Sequence, residues 1–223
     1  MSRSLFVKAI LLYFSGLLLF ALLLFLPAGT LRYPQGMILT AVLFVPMFAA
    51  GLIMMKKSPE LLKKRLNLNE RESEQKKVIG FSGIMFIAAF AAAGLSFRFN
   101  FMMLPFALSC ASVVLFLAAY AVYAEVLREN AYLSRTVEIQ EGQKLIDTGL
   151  YGVVRHPMYM ATVFLFLSMP LILGSAVSFL IMLMYIPIIV KRILNEEQVL
   201  EEGLPGYREY KQRVRYRLIP YIW

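Results

Sequence analysis

The sequence predicts an all-α, polytopic integral membrane bundle of about six transmembrane segments, the last two forming a helical hairpin. Three observations carry that prediction. Apolar residues make up 60% of the 223 and charged residues 17%, with mean hydropathy +0.68, against about 45–50% and 25% in soluble domains. The apolar residues fall in long runs rather than at amphipathic spacing. The basic residues cluster between alternate runs, the pattern of a chain oriented across a bilayer.

The runs are Leu5 to Leu26, Met37 to Met55, Val78 to Phe97, Phe101 to Leu127, Met158 to Leu173 and Ser175 to Val190. The first resembles a signal peptide, with Arg3 and Lys8 near its start and Ala28-Gly29 after it. Its stretch of about eighteen residues without a charge exceeds a normal signal core, so a retained span is expected. Ser58 to Lys77 opens Ser-Pro-Glu, a helix start with Pro in the first turn, and alternates Leu with charge, so a membrane-surface helix is expected there. The third run carries Gly80, Ser82, Gly83 and then Ala88 to Gly94, small residues suited to close helix contact in lipid. The last two runs are short for spans and are separated only by Gly174, hence the hairpin. The chain divides into residues 1–127, four helices with the loop 56–77, and residues 128–223, which contain the hairpin 158–190.

With the N-terminus inside, 21 of the 23 Lys and Arg residues lie in inner segments, leaving Arg32 and Arg98 outside, and all 14 acidic residues fall on or near that inner side. The expectation is a multi-pass protein with both termini cytoplasmic, in the plasma membrane of a prokaryote or the endoplasmic reticulum of a eukaryote. The net charge of +9 is thus a matter of orientation and membrane lipid, not of nucleic acid. Cys110 is the single cysteine, which excludes an internal disulfide or a multi-cysteine metal site.

The chain has no G-x-G-x-x-G, P-loop or H-E-x-x-H motif and one histidine, so no metal is expected and a nucleotide-like cofactor would need a site other than a Rossmann turn. Polar chemistry is concentrated in Asp147 to Tyr159 and in Lys191 to Tyr210, which flank the hairpin and should meet at one face. Pro157 fits the first position of a helix and His156 its N-cap. A helix start beside Arg155 favours a carboxylate, although both residues could equally meet lipid headgroups. Arg192 and Glu196 are four apart and share a helix face. Glu197 follows, and adjacent carboxylates near a membrane are costly unless solvated or given a cation. Tyr151, Tyr159, Tyr207 and Tyr210 suit an interfacial belt, or ring faces offered to a sulfonium.

Taken together, the string from Gln143 to Tyr151, Arg155-His156-Pro157-Met158-Tyr159, Arg192 with Glu196, Glu197 and Leu200, Tyr207 with Tyr210, and Arg217 to Pro220 resemble the isoprenylcysteine carboxyl methyltransferase family. The resemblance covers roughly residues 130–220. It implies S-adenosylmethionine bound in a cytoplasmic C-terminal region, S-adenosylhomocysteine as product, and a lipophilic small-molecule or prenylated acceptor arriving from the bilayer. By motif position, Gln140, Leu145, Ile146, Tyr151, His156, Pro157, Met158, Tyr159, Glu196 and Glu197 would bind the cofactor. Arg192 would face the acceptor carboxylate, and Arg192 with Glu196 would form the catalytic pair. Gln143 stands where eukaryotic members have His, Leu150 where bacterial relatives have Pro, and Ala161 where Gly is usual. The alternatives are a phospholipid or amine N-methyltransferase, an NADPH-dependent sterol or lipid reductase-like protein, and a non-enzymatic membrane bundle.

Overall fold

The computed structural model describes residues 3–66, 73–133, 139 and 142–223, and among these it shows nine α-helices and one 3-10 turn, with no extended strand. The helices are α1 (Arg3–Ala28), α2 (Pro34–Lys57), α3 (Pro59–Arg65), α4 (Ser73–Phe99), α5 (Phe106–Glu129), α6 (Pro157–Ile172), α7 (Ala176–Met182), α8 (Tyr185–Gly203) and α9 (Tyr207–Arg213). The first four apolar runs become α1, α2, α4 and α5, each long and apolar enough to cross a membrane. The short helix α3 follows α2 directly, as the Ser-Pro-Glu start predicts; residues 67–72 of that loop lie outside the described residues.

The hairpin differs from two equal short spans. With 16 residues, α6 is about 24 Å long, short of the roughly 30 Å of a hydrocarbon core. Its partner is longer than expected, a helical stretch of 28 residues from Ala176 to Gly203 that is apolar in its first part, because the helix runs past Val190 into the charged segment. That stretch breaks at Leu183 and Met184, between α7 and α8. Pro187 explains the break, since it cannot donate to the carbonyl four residues earlier and its ring collides with it.

At the turn of the hairpin, Gly174 takes φ +70°, a left-handed conformation that glycine adopts without a Cβ penalty. The turn is stitched to the α4–α5 loop: Leu104 N–H donates to the Gly174 carbonyl at 2.7 Å and Ala176 N–H to the Met102 carbonyl at 3.1 Å. Ser175 caps α7 by accepting from Ser178 N–H at 3.1 Å and donates to the Ser96 hydroxyl at 2.9 Å. The Tyr33 hydroxyl donates to the Leu173 carbonyl, while its ring stacks on Phe97 with centroids 4.1 Å apart.

Small residues of α4 divide into two groups. Ala89, Ala93 and Gly94 are buried, whereas Gly80, Gly83 and Ala88 are exposed. A Cβ on Gly94 would lie 2.4 Å from the Leu24 carbonyl oxygen of α1, and one on Gly80 would meet nothing within 4 Å. Gly94→Val should therefore push α1 off α4 and cost about 1–3 kcal/mol, whereas Gly80→Ala should be neutral or slightly stabilising. Thermal unfolding of the two variants in one detergent checks this, with a lowered midpoint expected only for Gly94→Val.

Candidate active site

Opposite the Gly174 turn, the segments after α2, α5 and α8 converge. Arg65 of α3 reaches the Met158 sulfur at 3.8 Å and covers the Tyr123 ring of α5. Between these segments lies an open cleft.

The loop after α5 is shaped by its own polar groups. Gly149 has φ +58°, and the Glu129 carboxylate at the end of α5 occupies the space a Cβ there would fill. That carboxylate accepts from Leu150 N–H at 3.1 Å. Tyr151 follows in the 3-10 turn Gly149–Gly152. Its hydroxyl accepts from the Asn130 amide at 2.9 Å, and its carbonyl accepts from the Tyr210 hydroxyl at 2.8 Å, joining the loop to α9. Burial pushes the phenols of Tyr151, Tyr207 and Tyr210 above their ordinary range, so each stays neutral and able to donate.

His156 is the N-cap residue of α6 and Pro157 its first residue, although the imidazole does not cap. The backbone N–H groups of Arg155 and His156 donate instead to the carbonyls of Tyr216 and Arg217, each at 2.9 Å. The side chains of both residues turn to Glu197. Its Oε1 lies 2.9 Å from Arg155 Nε and 3.2 Å from His156 Nε2, and its Oε2 lies 3.1 Å from Arg217 Nε. Arg155, His156 and Glu197 are all buried. The anion that the sequence leads one to expect at this corner is therefore supplied from within the chain, by the carboxylate of α8.

Glu196, the preceding residue, points elsewhere. The Tyr159 hydroxyl donates to its carboxylate and accepts from Arg192 Nε at 2.9 Å. The Arg192 guanidinium also lies 5.9 Å from the Tyr159 ring centroid. Arg192 and Glu196 are thus joined through a buried phenol.

Of the residues singled out from sequence, Leu145, Ile146, Tyr151, His156, Met158, Tyr159, Arg192 and Glu196 line the cleft. Pro157 and Glu197 are buried behind it: the proline is used as a helix start and the glutamate as a structural anion. Gln140 lies outside the described residues. Arg155, Leu200, Tyr207 and Tyr210, together with Gln143 and Lys144 of the quoted string, also line it, and they are joined by Asn130, Tyr132, Leu133, Val199 and Leu204, which sequence reasoning did not name. Val199 and Leu204 could have been found by continuing the α8 periodicity from Arg192 and Glu196; Asn130 and Leu133 carry no motif signal.

Glu197→Ala would leave Arg155 buried without its counter-charge and free Arg217, and breaking a buried ion pair from one side costs about 3–5 kcal/mol. The expected outcome is a large fall in thermal stability with faster proteolysis around Arg215 and Arg217. Glu196→Gln, one residue away, should change neither by much.

The family model for the isoprenylcysteine carboxyl methyltransferase (ICMT) family matches residues 111–202. Delta(14)-sterol reductase TM7SF2 of Mus musculus is 32% identical over 91 residues, 40% of this chain. The chain spans about a fifth of that relative, 22% of its length. A solved structure of the eukaryotic intramembrane Ras methyltransferase ICMT has a TM-score of 0.49 to this fold at 16% identity, over 97% of this chain and 84% of that one. The 111–202 match runs from α5 through α8 and holds the Arg155-to-Tyr159 corner, Arg192 and Glu196; it is this segment of the chain that is similar to the isoprenylcysteine carboxyl methyltransferase family.

Proposed function

We propose that this protein is a membrane-embedded S-adenosylmethionine-dependent methyltransferase that esterifies the carboxylate of a prenylcysteine or similar lipophilic acid. The observation that carries the proposal is a cation and an anion, Arg192 and Glu196, on one face of α8 in one cleft and both held by Tyr159. These are the charges that a carboxylate acceptor and a cationic methyl donor require.

The donor set fits S-adenosylmethionine. Glu196 offers a carboxylate for its ammonium, Tyr151 and Tyr159 offer ring faces to its sulfonium, and Leu145 and Ile146 offer apolar contact to its nucleoside. The sulfonium supplies an electrophilic methyl group; an acceptor carboxylate oxygen forms the new bond as the carbon–sulfur bond breaks, giving a methyl ester and S-adenosylhomocysteine. No proton need move, so the protein's work is alignment and charge placement, effects that can reach about 7–11 kcal/mol. Arg192 would offset the desolvation of the acceptor carboxylate and orient it with charge-assisted hydrogen bonds, and Tyr159 would hold that guanidinium in aim. The positive-inside distribution of Lys and Arg supports a cytoplasmic cleft with the donor arriving from the cytosol and the acceptor from the bilayer.

The sterol-reductase relative raises a second reading, a reductase using NADPH. Glu196 argues against it, because a carboxylate in the cleft repels nucleotide phosphates and attracts the ammonium of a sulfonium donor. Arg192 argues likewise against an amine acceptor, which would be cationic.

With purified protein in detergent, S-adenosylhomocysteine should bind by calorimetry, and Glu196→Gln should weaken it about 10–100-fold, the worth of one hydrogen bond to a charged group. Arg192→Ala should leave that affinity within about threefold but cut methylation of a prenylcysteine carboxylate about 100-fold. Binding of NADPH in place of S-adenosylhomocysteine would sink the methyltransferase reading in favour of the reductase.

A further inference from the structure

Resting on the methyltransferase reading, a further binding residue can be assigned within the same cleft. Tyr207, the first residue of α9, lines the cleft and is 3% exposed. Its hydroxyl is sealed from solvent and has no hydrogen-bond partner among the described residues. The other two tyrosines of this loop region are satisfied: Tyr151 by Asn130, and Tyr210 by the Tyr151 carbonyl. A buried hydroxyl without a partner is costly, and native proteins keep few of them without a use.

The course of α8 indicates which part of a ligand that hydroxyl would meet. Arg192, Glu196, Leu200 and Leu204 line the cleft on successive turns, spanning about 18 Å at the helical rise. The charged end is at Arg192 and Glu196. The apolar end is at Leu200 and Leu204, where Tyr207 packs with Leu145 and Tyr210. A nucleoside amino acid laid along this gradient puts its charged amino-acid half toward Glu196 and its base and ribose toward Tyr207. The base and ribose carry ring nitrogens and hydroxyl oxygens that accept hydrogen bonds, and the neutral phenol is a donor.

We propose that the Tyr207 hydroxyl hydrogen-bonds the nucleoside half of the bound S-adenosyl ligand. Tyr207→Phe is the test, because it keeps the ring and its packing and removes only the hydroxyl. The loss of one hydrogen bond between neutral groups should weaken S-adenosylhomocysteine binding about 5–10-fold. Binding of 5′-methylthioadenosine, which lacks the amino-acid half, should weaken by a similar factor. Thermal stability of the ligand-free variant should stay level or rise, since an unpartnered group has been removed.

Unchanged affinity with raised stability would overturn the proposal and leave the phenol permanently unpaired. Unchanged affinity with lowered stability would overturn it in favour of a buried water. A loss confined to S-adenosylhomocysteine would overturn the nucleoside assignment and move the contact to the amino-acid half. Failure of the wild-type protein to bind either ligand would overturn the methyltransferase reading itself, an outcome distinct from equal binding by wild type and variant.

Discussion

The end of this molecule opposite the Gly174 turn is organised around one buried carboxylate. Glu197 meets Arg155 and His156 at the start of α6 and Arg217 in the C-terminal segment, so three stretches far apart in sequence are tied at one point. Arg155 also donates to the carbonyls of Lys211 and Val214, and Arg217 lies over the Trp223 ring at 5.1 Å. A lone acid or a lone arginine would be expelled from such a place. Together, each meeting opposite charge, they can stay. The return for this desolvation is geometric: the start of α6, which carries Tyr159, is fixed against α8, which carries Arg192 and Glu196.

Adjacent glutamates therefore have opposite duties. Successive residues of a helix point about 100° apart, which lets α8 turn Glu197 into the protein and Glu196 toward the cleft. The same helix also holds Arg192 one turn earlier, and Tyr159 spans the gap from α6. Precision in the proposed reaction would come from this arrangement of regular helices, with the loop 149–152 closing one side. The phenol links the two charges across that gap.

Much of this was legible from residues alone, and unevenly so. The runs that became α1, α2, α4 and α5 were read within a few residues, because a stretch of about twenty uncharged apolar residues has few other uses. The grouping of Leu145, Ile146, Tyr151, His156, Met158, Tyr159, Arg192 and Glu196 in one cleft followed from motif positions around the hairpin. The division of labour between Glu196 and Glu197 did not, since it depends on which face of α8 meets Arg155, and neighbouring residues look alike in a string. The same holds for Pro157, whose effect is on the backbone. The break at Leu183 was marked by Pro187, but a hydropathy run does not register a kink. Asn130 and Leu133 entered the cleft because the chain end of α5 folds back over it, a tertiary fact with no local signature.

The hairpin turn at Gly174 has a consequence for how the protein meets bilayers of different depth. Its carbonyl, the neighbouring Leu173 carbonyl and the Ala176 N–H all find partners in the α4–α5 loop or in Tyr33. Backbone polarity satisfied in this way need not reach water, so the turn is free to lie below the headgroup level of the far leaflet. A helix of about 24 Å can then serve in a membrane thicker than itself. Thickness mismatch is absorbed at the Gly174 end, and the depth of the cleft relative to the near surface is set independently of it.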